Sequence, residues 1–212
     1  MPDTPSYTPE VQESIDQNLD TLQKLLPPSG VWLAELNDVV MSWQEDRLTT
    51  DEANVAVRRI ADRCTGGTSS VTACKEGCSH CCYQAVAVNT WEAERIGRFL
   101  QQEPVRFPYS PTPPDIDGMQ VKYRGVRCTL LTDSGRCAAY EVRPLACQTY
   151  YNVSSYSSLC RVPETEVNTL VPCLDVRILD IADVALNMHT SVYRDIREFF
   201  PLNKVCNQSQ RS

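Results

Sequence analysis

Four of the chain's eleven cysteines fall in one nine-residue stretch, Cys74-Lys75-Glu76-Gly77-Cys78-Ser79-His80-Cys81-Cys82. This density constrains folding more than any hydrophobic pattern in the chain. Free cysteines are ordinarily scattered and buried as small apolar side chains. Thiolates gathered by one loop repel one another and are costly to desolvate, and a soft cation offsets both terms and orders the loop as it binds. Further thiols follow at Cys128, Cys137, Cys147, Cys160 and Cys173.

Whether such a set means metal or disulfides depends on the compartment. The start, Met1-Pro2-Asp3-Thr4-Pro5, carries neither a basic patch nor an apolar h-region, so it does not read as a secretory signal. The expected location is cytoplasmic, where thiol clusters mean metal more often than disulfides. An odd cysteine count also leaves one thiol outside any intramolecular disulfide scheme. The competing reading is a mature, disulfide-rich secreted chain. A net charge of −7 and a pI of about 4.9 argue against general binding to nucleic acid or an anionic membrane. The sequence holds no apolar run of the ~18 residues that a membrane span needs.

With 212 residues, 42% of them apolar, the chain can build one domain with a real core. Residues 1–9 are rich in Pro and Ser and read as a disordered tail. Val11, Ile15, Leu19, Leu22 and Leu26 recur at helical spacing and predict a helix ending before Pro27-Pro28. Trp32, Leu36, Val39, Val40 and Trp43 predict a second. Thr49 with Glu52 reads as a capping box for a third, lined by Ala53, Ala56, Val57 and Ile60. Cys64 continues that stripe and reads as a core cysteine. Ala85 to Val88 is a candidate strand, followed by a helix capped by Asn89 or Thr90. Residues 103–118, with five prolines, read as an extended surface connection. Val126 to Leu131 and Arg136 to Tyr140, joined through Asp133-Ser134-Gly135, predict a small hairpin. Pro144 suits the first position of a short helix. From Val171 to Phe199 the apolar residues keep helical spacing, which predicts one long helix or two consecutive ones beginning near Pro172.

The first thiol group is spaced C-x3-C-x2-C with a fourth cysteine directly after, and Gly77 allows the backbone to turn between ligands. The adjacent Cys81 and Cys82 serve one centre if the backbone turns tightly; otherwise they serve two centres, or one of them packs. Cys147 falls in the first turn of the helix behind Pro144, whose positive end is expected to lower its pKa. Arg143 and Arg136 are candidates to offset thiolate charge, and Tyr140 to donate a hydrogen bond to sulfur. For Arg136 and Tyr140 the plainer readings are a solvated cation and a core ring. His80 is an alternative zinc ligand or an exposed loop residue, Cys173 a further ligand or a packing residue, and His189 structural. Cys206 reads as incidental.

Taken together, Cys78-x2-Cys81-Cys82, Cys128, the segment Cys137-Ala-Ala-Tyr-Glu-Val-Arg-Pro-Leu-Ala-Cys147 and Cys160 resemble the YkgJ-type CxxCxxCC family, described as zinc- or iron-chelating. The resemblance covers about residues 74–162. It departs from the family pattern in the x3 spacing between Cys74 and Cys78, and in Gln148, where the family usually carries Arg. Flagellin lysine methylases are related to this family, which implies an iron–sulfur cluster and a modification activity as an alternative. C-x3-C-x2-C is also the cluster spacing of radical S-adenosylmethionine enzymes. The β/α alternation of that barrel is missing from the sequence around the loop.

The expected fold is mainly α: helical flanks around a compact, loop-rich cysteine module with at most a small hairpin. The expected divisions are 10–67 as an N-terminal helical segment, 74–173 as the metal module, 174–200 as a C-terminal helix packed on it, and 201–212 as a tail. The expected ligands are Cys74, Cys78, Cys81, Cys82, Cys128, Cys137, Cys147 and Cys160. They suit zinc or iron, the latter including a [4Fe–4S] cluster. The expected partner is the metal ion, with room for a protein partner. Three functions fit: metal handling or a structural staple, iron–sulfur-dependent modification, and metal or redox sensing.

Overall fold

The computed structural model describes residues 7–110, 115–161 and 171–202. Three helices open the chain: α1 (Pro9–Leu25), α2 (Ser29–Gln44) and α3 (Thr50–Thr65). Each follows its predicted apolar stripe, except that Leu19 of α1 faces solvent. The capping box at α3 is formed: Thr49 Oγ1 accepts from Glu52 N, and Thr49 N donates to the Glu52 carboxylate. Of the expected N-terminal tail, 1–6 lie outside the described residues. Tyr7 packs on the core around Ile15 and Leu22, and Pro9 opens α1, where its fixed φ suits a helix start.

The strand expected near 85–88 is β1 (Ala87–Asn89), and Asn89 caps α4 (Thr90–Leu100) through a second capping box with Glu92. The partner of β1 is not the predicted hairpin. It is β2 (Tyr193–Asp195), antiparallel, with Val88 opposite Arg194. The 126–140 hairpin is reduced to one bridge between Leu131 and Cys137, closed by a turn in which Gly135 takes φ 78°. Residues 101–110 form no regular element, as expected of a proline-rich connection. One helix in this region had no prediction, α5 (Ile116–Tyr123). It buries Met119 and Tyr123 and leaves Val121 exposed, too thin a stripe to read from sequence. The short helix behind Pro144 is α6 (Leu145–Thr149).

The C-terminal region departs from the single or double helix expected over 174–200. It comprises α7 (Arg177–Asn187), a turn, β2 and α8 (Ile196–Phe199). The helical spacing is interrupted for two physical reasons. Asn187 is buried in reciprocal hydrogen bonds with Asn54 of α3, at 3.1 and 2.8 Å. Beyond it, Val192 N donates to Thr90 Oγ1 and draws the chain into pairing with β1, before Asp195 caps α8. His189 consequently sits exposed in the turn rather than on a helix.

The main core joins α2, α3 and α7 and takes in Leu145 of α6. α1 docks on the segment after α6, where Asn18 Nδ2 donates to Val153 O at 2.8 Å. A second core joins β1, α4 and α8 to Cys128, Leu130, Leu131 and Ala139. The helices and the cysteine-bearing loops therefore share both cores.

Two buried ion clusters fix these layers. In the first, Arg58 of α3 donates through Nη2 to Glu92 of α4 at 2.6 Å and to Asp183 of α7 at 2.9 Å. Burial, and then the nearby Glu92 charge, push the Asp183 carboxyl up to about 7 despite the guanidinium. In the second, Arg197 of α8 is bound at both oxygens of Asp195, at 2.9 and 3.0 Å. Its remaining N–H groups reach the carbonyls of Cys82, Gln84, Val126 and Arg127, at 3.2, 3.0, 2.6 and 3.3 Å. Asp195 also accepts from Val86 N at 2.8 Å.

Removing the Arg197 fork strands Asp195 and four carbonyls in the interior. Arg197→Met is expected to lower the unfolding free energy by ~3–5 kcal/mol in urea titrations, the usual cost of breaking a buried pair. Arg197→Lys should recover this only in part, because one nitrogen cannot replace a planar fork. For Asp183, the folded pKa lies above the unfolded value of about 3.9. Its stabilising contribution is complete below roughly pH 4 and is lost as pH rises through about 7. Thermal melts should show stability falling across this window, and Asp183→Asn should flatten the fall; an unchanged slope in the variant would refute the assignment.

Candidate metal centre

The cysteine loop is shaped by two turns. Cys78 N donates to Lys75 O at 2.9 Å, with Gly77 at φ 90°, a backbone position that side chains rarely adopt. His80–Tyr83 then forms a 3-10 turn in which Cys82 N reaches Ser79 O. This is the tight turn that adjacent cysteines need. The Cys81 and Cys82 thiols are hydrogen-bonded to each other.

Cys82 continues into the second core and packs there with Cys128, Cys137 and Cys147. Backbone contacts bring these four together: Cys128 N donates to Cys82 O at 2.8 Å, Leu131 bridges Cys137, and α6 carries Cys147. Two of the sulfurs also receive backbone N–H groups two residues ahead, Cys128 from Leu130 and Cys137 from Ala139. Such bonds favour thiolate over thiol.

The other thiols gather at Asn152. Its backbone N–H donates to Cys74 Sγ at 3.3 Å and its side-chain amide to Cys160 Sγ at 3.4 Å. The residue itself bridges Cys173 in antiparallel fashion. The turn Ser157–Cys160 packs on the turn His80–Tyr83. Cys78 lies in range of both Cys74 and Cys160. Cys64 is separate from all of these, buried in α3 as a core residue.

Charge in the region is dominated by burial. Burial pushes Cys74 up to about 11 and Cys160 up to about 12, and raises Cys128 and Cys137. Cys81 moves the other way, to about 7, because the Cys82 thiol donates to it. Cys147 corrects a prediction. Its thiol is raised well above the ordinary value by burial and by Cys81, Cys128 and Cys137, so the positive end of a five-residue helix does not prevail. Arg143 lowers Cys74, Cys81, Cys137 and Cys147 alike. It is held 4.7 Å from the Tyr140 ring and donates to Tyr151 Oη at 3.1 Å, so Tyr140 steers this cation. Arg136 is exposed and paired with Glu76 across the loop. Gln148, standing where the resembled family carries Arg, docks α6 on α3 through Asp62. His80 is half-buried, its pKa lowered by burial and Arg161.

The donor set fits zinc or iron in its chemistry: soft thiols, N–H donors to sulfur and an adjacent fixed cation. Among the described residues, no three His, Cys, Asp or Glu side chains are already spaced around a single ion. Ligation therefore requires side-chain movement within the region. A cavity of about 650 Å³ opens beside it, edged by Cys81, Cys147 and Cys173. Cys206 lies outside the described residues. Two contributors carried no recognisable signal in the sequence. No local pattern marks Arg197 or Asn152; each acts through partners far away in sequence.

Comparison with curated proteins and with solved structures finds no match to the chain. Among the described residues, no helix is long and apolar enough to cross a membrane. Residues 73–173 match the model of the CxxCxxCC family, whose description is "Putative zinc- or iron-chelating domain". The match begins beside Cys74 and ends on Cys173, so it frames the thiol region described above, and over this segment, just under half of its length, the chain is similar to the CxxCxxCC family.

Proposed function

We propose that the domain binds zinc or iron through thiolates drawn from Cys74, Cys78, Cys81, Cys82, Cys128, Cys137, Cys147 and Cys160, in a metal-handling or structural role. The observation that carries this reading is the convergence of thiols from four separate stretches of chain on one region that also holds Arg143. A bound cation would neutralise thiolates that burial otherwise keeps protonated, and would tie the loops together. The chain's own residues supply the rest. Arg143 offsets the charge that four thiolates leave in excess of a divalent ion. Asn152, Leu130 and Ala139 direct N–H groups at sulfur, and Arg197 holds the Cys82 and Cys128 backbones in register.

A second reading, an iron–sulfur-dependent modification enzyme, draws support from the cavity beside Cys81 and Cys147, which offers a ligand a route to the thiols. Acid-labile sulfide separates the two, since an iron–sulfur cluster carries inorganic sulfide and a zinc or iron thiolate site does not.

Protein purified without oxygen should carry zinc or iron at one or more atoms per chain by elemental analysis; substoichiometric amounts of every metal would overturn the proposal. Cys78→Ser and Cys147→Ser should each lower metal content and the melting temperature, although they stand far apart in sequence. Chelation under reducing conditions should remove amide-exchange protection chiefly from about residue 74 to 161, while α2 and α3 keep theirs.

A further inference from the structure

The nine thiols of the region are not one pool. Cys82, Cys128, Cys137 and Cys147 share an apolar core with Val86, Leu130 and Ala139. Cys74, Cys160 and Cys173 surround a single residue, the fully buried Asn152, and Cys78 lies within electrostatic range of Cys74 and Cys160. The two groups use different supports. The first is held by the Arg197 fork and the Leu131 to Cys137 bridge, the second by both nitrogens of Asn152. Cys81 stands between them, hydrogen-bonded to Cys82 and in range of Cys160. At the cavity, one thiol of each group appears beside it, Cys147 and Cys173.

Each group holds four thiols, the number that closes a tetrahedral thiolate shell around zinc or a like divalent ion. We propose that the domain contains two thiolate metal centres, one formed by Cys82, Cys128, Cys137 and Cys147 and the other by Cys74, Cys78, Cys160 and Cys173, with Cys81 lying between the two shells. This rests on the metal-chelating reading above and adds to it a count, a partition and a ligand, Cys173, outside the set expected from sequence. Arg143 serves both centres, since it acts on Cys74 of one and on Cys137 and Cys147 of the other. Two centres on either side of the turn also account for the Cys81-Cys82 pair, since Cys82 belongs to one shell and Cys81 stands between the two. In a single turn, one thiol enters the apolar core and its neighbour stays at the cavity.

The test is zinc stoichiometry on full-length protein, reconstituted with zinc alone under reducing conditions, with thiol alkylation read by mass spectrometry. Wild-type chain should saturate at two equivalents. Cys173→Ser, at an exposed position, should fall to one equivalent and still protect Cys82, Cys128, Cys137 and Cys147 from alkylation. Cys137→Ser should also fall to one equivalent, with Cys74, Cys78, Cys160 and Cys173 protected instead. Wild-type saturation at one equivalent would overturn the two-centre assignment and leave metal binding standing. So would two equivalents in Cys173→Ser, or loss of both from a variant that keeps its far-ultraviolet circular dichroism. If the wild-type chain binds no zinc and carries no iron as purified, the functional reading itself fails. Should Cys137→Ser not fold, wild-type stoichiometry and the Cys173→Ser protection pattern decide the matter without it.

Discussion

The arrangement of the cysteine region hangs on one guanidinium. Arg197 is almost fully buried, and its N–H groups are spent on Asp195 and on four backbone carbonyls from two loops that share no secondary structure. A loop-rich domain has few ladder hydrogen bonds with which to satisfy its interior backbone, and orphaned carbonyls are costly. One planar donor fork settles several at once. It does so at the place where the chain passes from the cysteine turn to Cys128. Asp195 completes the arrangement by neutralising the charge, capping α8 and accepting from Val86.

The thiols obey a different balance. Helix ends, N–H donors and Arg143 all favour thiolate, yet Cys147, Cys74 and Cys160 sit high because desolvation is the largest influence on each. Without a cation the region is a set of mostly neutral thiols. A divalent ion changes the sign of the problem, since it supplies the charge that burial withholds. Metal binding and local order are thereby coupled.

How much of this was legible beforehand follows from the range of each interaction. The first three helices, the Thr49 capping box, the cap at Asn89, Cys64 as a core residue and the short helix behind Pro144 all rest on local patterns of a few residues, and they stand where the sequence puts them. The failures are non-local. The spacing from Val171 to Phe199 is helical by periodicity, yet β1 recruits 193–195 from across the chain. The predicted hairpin kept its turn and one bridge but formed no further ladder. α5 was missed because two buried side chains make no stripe. Within the cysteine region, ligand candidates were visible as residue types. Their neighbours were not: Asn152 and Arg197 have no distinguishing composition, and their roles lie wholly in what folds against them.

The β1 to β2 pairing and the Arg197 fork have a consequence for how the protein comes into being. Every thiol from Cys74 to Cys173 leaves the ribosome before the residues that close the region, β2 and Arg197. Domains form as their elements become available during synthesis. From the emergence of Cys74 until that of Arg197, the nascent chain thus carries its thiols on unclamped loops, open to adventitious metals and to oxidation. The thiols are accordingly enclosed only once Arg197 has emerged.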